Sequence, residues 1–275
     1  MDAQLPTTGI PTRTPRLSEL GTDLLRLNRW QVAWTITLPF AAFAAFWIFA
    51  SHQLWPLAVL STIVLSFVTY GSTSHDLVHG NLGLIRPVND WLLAIIEAMA
   101  LRSGHAYQAA HLNHHARFPD PDDIESQASR MTWPRALLEG VIFQFRIYAW
   151  AVAHAPASRI WIFAEGIGVT SLIASALIAI PWTIAPAVYV ALMIAGSWII
   201  PLITSYLPHD ATATDALHQT RLFRGWFVRI VALDHLYHLE HHLYPGVPHL
   251  NWPRLARRLD PWLTEVGLKS IRGPI

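Results

Sequence analysis

Eight of the fifteen histidines fall in three short windows. They are His75-Asp76-Leu77-Val78-His79, His111-Leu112-Asn113-His114-His115 and His238-Leu239-Glu240-His241-His242. In a helix, side chains three or four residues apart share a face. His75 with His79, His111 with His114 or His115, and His238 with His241 or His242 can therefore each grip one ion. Adjacent histidines diverge by about 100° around a helix, so a His-His doublet suits two neighbouring metals, each taking one ring. A single zinc site usually needs only three or four protein ligands. Eight imidazoles are too many for one ion and suit two. Imidazole serves Fe, Zn, Cu and Ni alike, so the spacing leaves the metal open. A lone HxxxH pair carries little weight, and a pH-sensing patch would not need HxxHH twice. The chain has no cysteine, which excludes disulfides, iron–sulfur clusters and thiolate zinc sites. Any metal must be held by His, Asp or Glu.

These windows need elements that bring them together. The composition, 53% hydrophobic and 13% charged, falls well below the roughly 25% charge of soluble domains and points to lipid as solvent. A net charge of +1 gives no footprint for nucleic acid. A membrane helix takes about 20 mostly apolar residues, and four stretches qualify: 31–50, 54–71, 160–180 and 185–206. The short links 51–53 and 181–184 make two antiparallel hairpins. Residues 91–101 and 136–153 are apolar but too short or interrupted by Glu139 and Arg146, and read as interfacial or re-entrant. Glu165 should face the bundle or the interface rather than lipid. Residues 1–30 read as a Pro/Thr-rich tail and a polar helix, 17–30, with no apolar signal stretch; residues 31–275 read as a single domain.

With four spans, all 19 Lys and Arg fall in the tail, in 72–159 or in 207–275, which then share one side. Basic residues accumulate on the cytoplasmic side. Both termini and all three windows are thus expected to be cytoplasmic, on an inner or plasma membrane. The fold class is an all-α integral membrane four-helix bundle with a histidine-rich helical cytosolic cap.

HDLVH, HLNHH and HLEHH, with the tail His241-His242-Leu243-Tyr244-Pro245-Gly246-Val247-Pro248, resemble the three histidine boxes of the membrane fatty acid desaturase superfamily. The resemblance runs from about Leu54 to Leu259. It implies two iron ions, O2 as oxidant and an external electron donor of ferredoxin or cytochrome b5 type. Carried over residue by residue, it implies His75, His79, His111, His114, His115, His238, His241 and His242 as metal ligands. His209, in Tyr206-Leu207-Pro208-His209, matches an extra histidine after the last span, and His235 is the alternative ninth ligand. Asn81-Leu82-Gly83, Asp120-Pro121-Asp122 and the His209 segment are also similar to bacterial carotenoid ketolases. The expected function is O2-dependent C–H oxidation of a long-chain lipid from the bilayer, with fatty acyl desaturation ahead of carotenoid ketolation or hydroxylation. A non-catalytic membrane metal-binding or transport protein is the alternative of another class. It would place ionisable groups at mid-membrane depth, whereas these histidines cluster at span ends.

Several acids near the boxes could orient ligand imidazoles by accepting their second N–H: Asp76, Asp122, Asp123, Asp234 and Glu240, with Asn113. Arg117, Arg130, Arg221, Arg224 and Arg229 could meet the anionic head of an acyl carrier, or anchor the cap to lipid head groups. His52, His105, His154, His218 and His249 match no box and read as cap or interfacial histidines.

Overall fold

The computed structural model describes residues 13–228 and 234–272. Regular structure there is helical, and extended pairing among the described residues is limited to bridges such as His209 with Thr220 and Phe223 with Ile271. Helix α1, Arg29–Ser51, is started by Asn28, whose side chain accepts from Trp30 N–H and Gln31 N–H. Two of the four donors that a helix start leaves unpaired are thereby satisfied. The tight turn at 52–54 returns the chain as α2, Trp55–His79. After Arg86–Met99 (α3) and Gly104–Arg117 (α4) come Trp133–His154 (α5), Arg159–Ile178 (α6) and Ala185–Tyr206 (α7). Short α8, His238–Leu243, and α9, Trp252–Glu265, complete the cap.

Five stretches are long and apolar enough to cross a membrane: Thr22–Ser51, Trp55–His79, Trp133–His154, Pro156–Ile178 and Ala185–Tyr206. Four overlap the expected spans at 31–50, 54–71, 160–180 and 185–206. The fifth, α5, was expected as an interfacial or re-entrant segment. Its charges, Glu139 and Arg146, pair with each other, so their cost is reduced and the helix runs unbroken for 22 residues. Large apolar side chains such as Ile48, Ile63, Ile167 and Ile178 lie exposed on the spans, as lipid-facing positions should. Glu165 instead is buried and meets Ser103 and His105.

The second span runs past its expected end at 71 and takes the first histidine window into its last turn. Its 25 residues give a helix of about 37 Å at 1.5 Å per residue, longer than a bilayer core of about 30 Å. On the way it widens into π turns at Val64–Val68 and Tyr70–Ser74, a distortion frequent at functional sites. A buried cluster supports the wide turns. Arg102 donates to Glu97 at 2.6 Å and to the Ser66 carbonyl at 3.3 Å, and Ser74 also donates to Glu97. Helix α5 crosses α7 at Gly140, where any Cβ would collide with the Trp198 backbone carbonyl.

The polar helix expected over 17–30 is not continuous. Leu17–Leu20 and Thr22–Leu25 are separate single turns, split at Gly21 with φ 110°, and α1 starts at Arg29. Leu24 packs with Leu239, Val247, Trp252, Leu255 and Leu259. Asp23 pairs with Arg254 and Arg258. Tyr244 donates to the Pro15 carbonyl. This contact closes α9 and the chain before α1 over the ends of the spans.

Candidate metal centre

Three helix ends and one span exit supply the histidines. His75 and His79 end α2, His111 to His115 lie in the last turns of α4, and His238 to His242 form α8. The i,i+4 pairs do what helical spacing predicts: His75 with His79 and His111 with His115 face one point, and His238 with His242 faces another. The doublets split. His115 and His241 join the first group, whereas His114 and His242 join the second. The first group is His75, His79, His111, His115 and His241; the second is His114, His209, His238 and His242. Within each, one nitrogen per ring lies within 4.8 Å of all the others.

The nitrogen spacing suits a central cation. In the second group, His209 Nε2 lies 3.1 Å from His114 Nε2, 3.1 Å from His238 Nε2 and 3.2 Å from His242 Nε2. In the first, His75 to His241 is 3.1 Å, His111 to His115 is 3.2 Å and His115 to His241 is 2.7 Å. A metal bound at about 2.0–2.1 Å to each nitrogen sets neighbouring donors about 3.0–3.4 Å apart. Protons cannot do the same work. His209 and His114 donate their Nδ1–H elsewhere, to the Ser205 carbonyl at 3.0 Å and to Asp123 at 2.6 Å. Their Nε2 atoms are thus lone pairs facing each other. Among the described residues His79 Nε2 is buried with no hydrogen-bond partner, an arrangement that costs free energy unless something else pairs with it.

The partners behind the rings decide which nitrogen points inward. Glu125 takes the Nδ1–H of His111 at 2.9 Å. Asp123 takes that of His114, and its own Oδ1 accepts from Glu125 N–H at 3.1 Å. Asp123 was among the acids expected here; Glu125 was not. It lies 14 residues beyond His111, and only the turn at 118–125 brings it back. Asp122 is exposed and takes no such part. Asp76 accepts from His249, through Nδ1 at 2.6 Å and the backbone N–H at 3.0 Å, rather than from a grouped histidine. Glu240 points away from its neighbours His238 and His241, to Arg224 at 2.5 Å.

Charge follows burial. Desolvation, then the neighbouring rings, hold His111, His238, His241 and His242 well below the ordinary imidazole range, and His209 likewise. Burial pushes Glu125 well up, and pushes Glu240 up against the pull of Arg224. These rings are neutral donors at neutral pH, the form that binds metal.

The remaining histidines separate clearly. His235 is buried but belongs to neither group. His52 and His154 are exposed, and His218 is an exposed partner of Asp215. His105 is buried and in neither group: it bonds Glu165 at 2.6 Å and stacks on Trp161. His249 is buried too, and helps seat Trp252, whose ring lies 5.3 Å from that of His75 and 5.2 Å from that of His241.

A family model described as fatty acid desaturase matches residues 50–272. No curated protein matches the chain.

Proposed function

The chain belongs to the fatty acid desaturase family, and from that premise we propose that it is an O2-dependent di-iron oxidoreductase acting on C–H bonds of a long-chain lipid, with fatty acyl desaturation as its reaction. The observation that carries this reading is the sorting of nine imidazoles into a group of five and a group of four. His75, His79, His111, His115 and His241 would hold one iron; His114, His209, His238 and His242 would hold the other. Bound iron supplies the oxidising power that an inert C–H bond needs and that side chains lack.

The chain's own residues do the rest. Glu125, Asp123 and the Ser205 carbonyl hold protons at Nδ1 of His111, His114 and His209 and leave Nε2 to the metal. Trp252 covers the first group from the cap side, and the stacked rings of Tyr70 and Tyr107, 4.2 Å apart, pack beneath it. Both exclude water, which keeps the site dry and the substrate aligned. An external one-electron donor of ferredoxin or cytochrome b5 type would supply reducing equivalents from the cap side.

Four spans remain the topology that fits best. Helix α5 starts eight residues after Glu125, which touches the first group, and its end leads through Ala155 into α6. The far end of α6 joins α7, and α7 returns to His209. Both ends of α5 therefore lie on the side of the histidines, and we place it along the interface. The basic residues put that side, and both termini, in the cytoplasm. Residues 31–275 then act as one domain behind the 1–30 segment.

Two measurements test the function together. Metal analysis of the purified protein should return two irons per chain. Mass spectrometry of lipids from cells that make β-carotene beside ordinary fatty acids should show new double bonds in the acyl chains. Unchanged fatty acids with oxygenated carotenoids would move the reaction to ketolation. A single zinc per chain would remove the oxidoreductase reading.

A further inference from the structure

Of the charged residues that the sequence singled out, Arg221 donates to the carbonyls of Tyr206 and Leu207 and Arg224 is held by Glu240 and Asp260, while Arg229 lies outside the described residues. The acid within α6, Glu165, is used differently. It is buried, and so is His105, the histidine it meets. Glu165 accepts three hydrogen bonds from the start of α4: from the Ser103 hydroxyl, from the backbone N–H of His105 at 3.2 Å and from His105 Nδ1–H at 2.6 Å. Trp161 stands one turn before Glu165 on α6, and the His105 ring stacks on it at 4.6 Å. An i,i+4 pair on one helix thus forms a socket for a ring of another. A helix start leaves N–H groups unpaired. Ser103 serves one of these, on Ala106. Glu165 serves another from outside the helix, at the end where negative charge is favoured.

Helix α4 has further ties, and they run to α2. Gln108 donates to the Val78 carbonyl at 3.1 Å, and Arg102, just ahead of the helix, donates to the Ser66 carbonyl at 3.3 Å. The apolar part of its buried face is Gly104, Ala106, Tyr107 and Ala110. Small side chains give little to key into the grooves of a neighbour, and Tyr107 meets Tyr70 as a flat stack. A helix held along one side is free to roll on that side. A roll matters here, because His114 and His115 diverge by about 100° and face different groups.

We infer that Glu165 is a positioning residue. By holding the start of α4 against α6 through Ser103 and His105, it sets the roll of α4 and so decides which histidine group each ring of the His114–His115 doublet enters. The inference rests on the di-metal reading and adds the residue that assigns the ligands of α4. A carboxylate buried in an apolar helix is costly, and what it provides in return is direction, which an apolar contact between small side chains lacks.

The native chain has no cysteine, so spin labels at Ala116→Cys on α4 and Ile167→Cys on α6, both exposed, report the distance between the two helices in nanodiscs without any metal. Glu165→Leu, similar in size and without an acceptor, should shift or broaden that distance by about 2 Å, the surface movement of a helix that rolls by about 20–30°. His105→Phe keeps the stack on Trp161 and removes the Nδ1–H. It should act in the same direction to a smaller extent, and it keeps the test decisive if Glu165→Leu does not fold. His105→Asn, which sets an amide donor near the place of Nδ1 and gives up the stack, should restore the wild-type distance. Cobalt(II) added to unlabelled, metal-free protein then reads the rings. Wild type should take two ions per chain. Glu165→Leu should bind both about tenfold more weakly, with an altered ligand-field spectrum, because α4 serves both groups. Unchanged distances and cobalt spectra in Glu165→Leu and His105→Phe would overturn the inference. So would a His105→Phe variant that matches wild type beside a His105→Asn variant that does not, since the contact would then be a packing stack alone. Fewer than two cobalt ions in wild type would sink the di-metal reading, and the label distances would still decide whether Glu165 sets the roll.

Discussion

Glu125 Oε2 lies 2.9 Å from His111 Nδ1, so the proton of that ring sits behind it and the lone pair of Nε2 faces the other histidines. Removing such a partner typically costs about 10- to 100-fold in metal affinity. Glu125→Ala is therefore expected to lose metal by that factor in a chelator competition. Glu125→Gln keeps an acceptor and should lose less. Equal affinity in the alanine variant would show that the carboxylate does not orient the ring.

Acid should destabilise the metal-free protein. Burial holds His111, His115, His209, His238, His241 and His242 below their ordinary range, and His235 down to about 4. In the unfolded chain these rings protonate near pH ~6.5, so their contribution is intact above that value and is lost as pH falls toward the folded values. Glu125 and Glu240, held up by burial, act in the opposite sense, because their contribution is lost as pH rises. Seven imidazoles against two carboxyls leave a net loss on acidification. The unfolding midpoint in detergent should fall between about pH 7.5 and about pH 5.5, and bound metal should slow the fall. A flat midpoint across that window would contradict the argument.

Arg224 stands between Glu240, which is fully buried, and Asp260. Taking away one member of a buried pair strands the other charge at a cost of about 3–5 kcal/mol. Arg224→Ala should destabilise the cap by roughly that much in chemical denaturation, less the relief Glu240 gains by protonating. The double variant Arg224→Ala with Glu240→Gln should recover much of the loss. If the single variant matches wild type, the pair carries no stability.

His249 joins the helix end bearing the first window to the segment that carries Trp252. Its two hydrogen bonds to Asp76 seat the cover over the first group. His249→Ala leaves a buried carboxylate short of a donor, a loss of about 1–3 kcal/mol. Metal should then leave the first group faster than the second, visible as two phases in chelator-driven release. One unchanged phase would mean that Trp252 is held in place without this pair.

The placement of α5 along the interface can be read directly, because the native chain has no cysteine. Thr132→Cys and Ala155→Cys, at the two ends of α5, should react with an impermeant thiol reagent from the same side. Gln53→Cys should react from the other. Opposite sidedness for the two ends of α5 would make it a fifth crossing and remove the common side of the tail and the cap.

The sequence by itself determined what depends on local spacing and solvent preference. Apolar length placed the long helices, and i,i+4 spacing made His75 with His79, and His111 with His115, available as pairs. The divergence of adjacent side chains already required the doublets to split. Only the tertiary structure decided how they split. Whether His241 or His242 joins His75 depends on the rotation of α8 against α2, and no local pattern encodes the angle between two helices more than 150 residues apart. The same holds for Glu125 behind His111, for His249 on Asp76 and for His209 completing the second group. Each is a contact between segments with no shared periodicity, fixed only when the spans and the cap pack. The pairing inside α5 was hidden from the sequence for a related reason. Counted singly along the chain, Glu139 and Arg146 look like an interruption of an apolar run, and only the fold shows that they pair with each other.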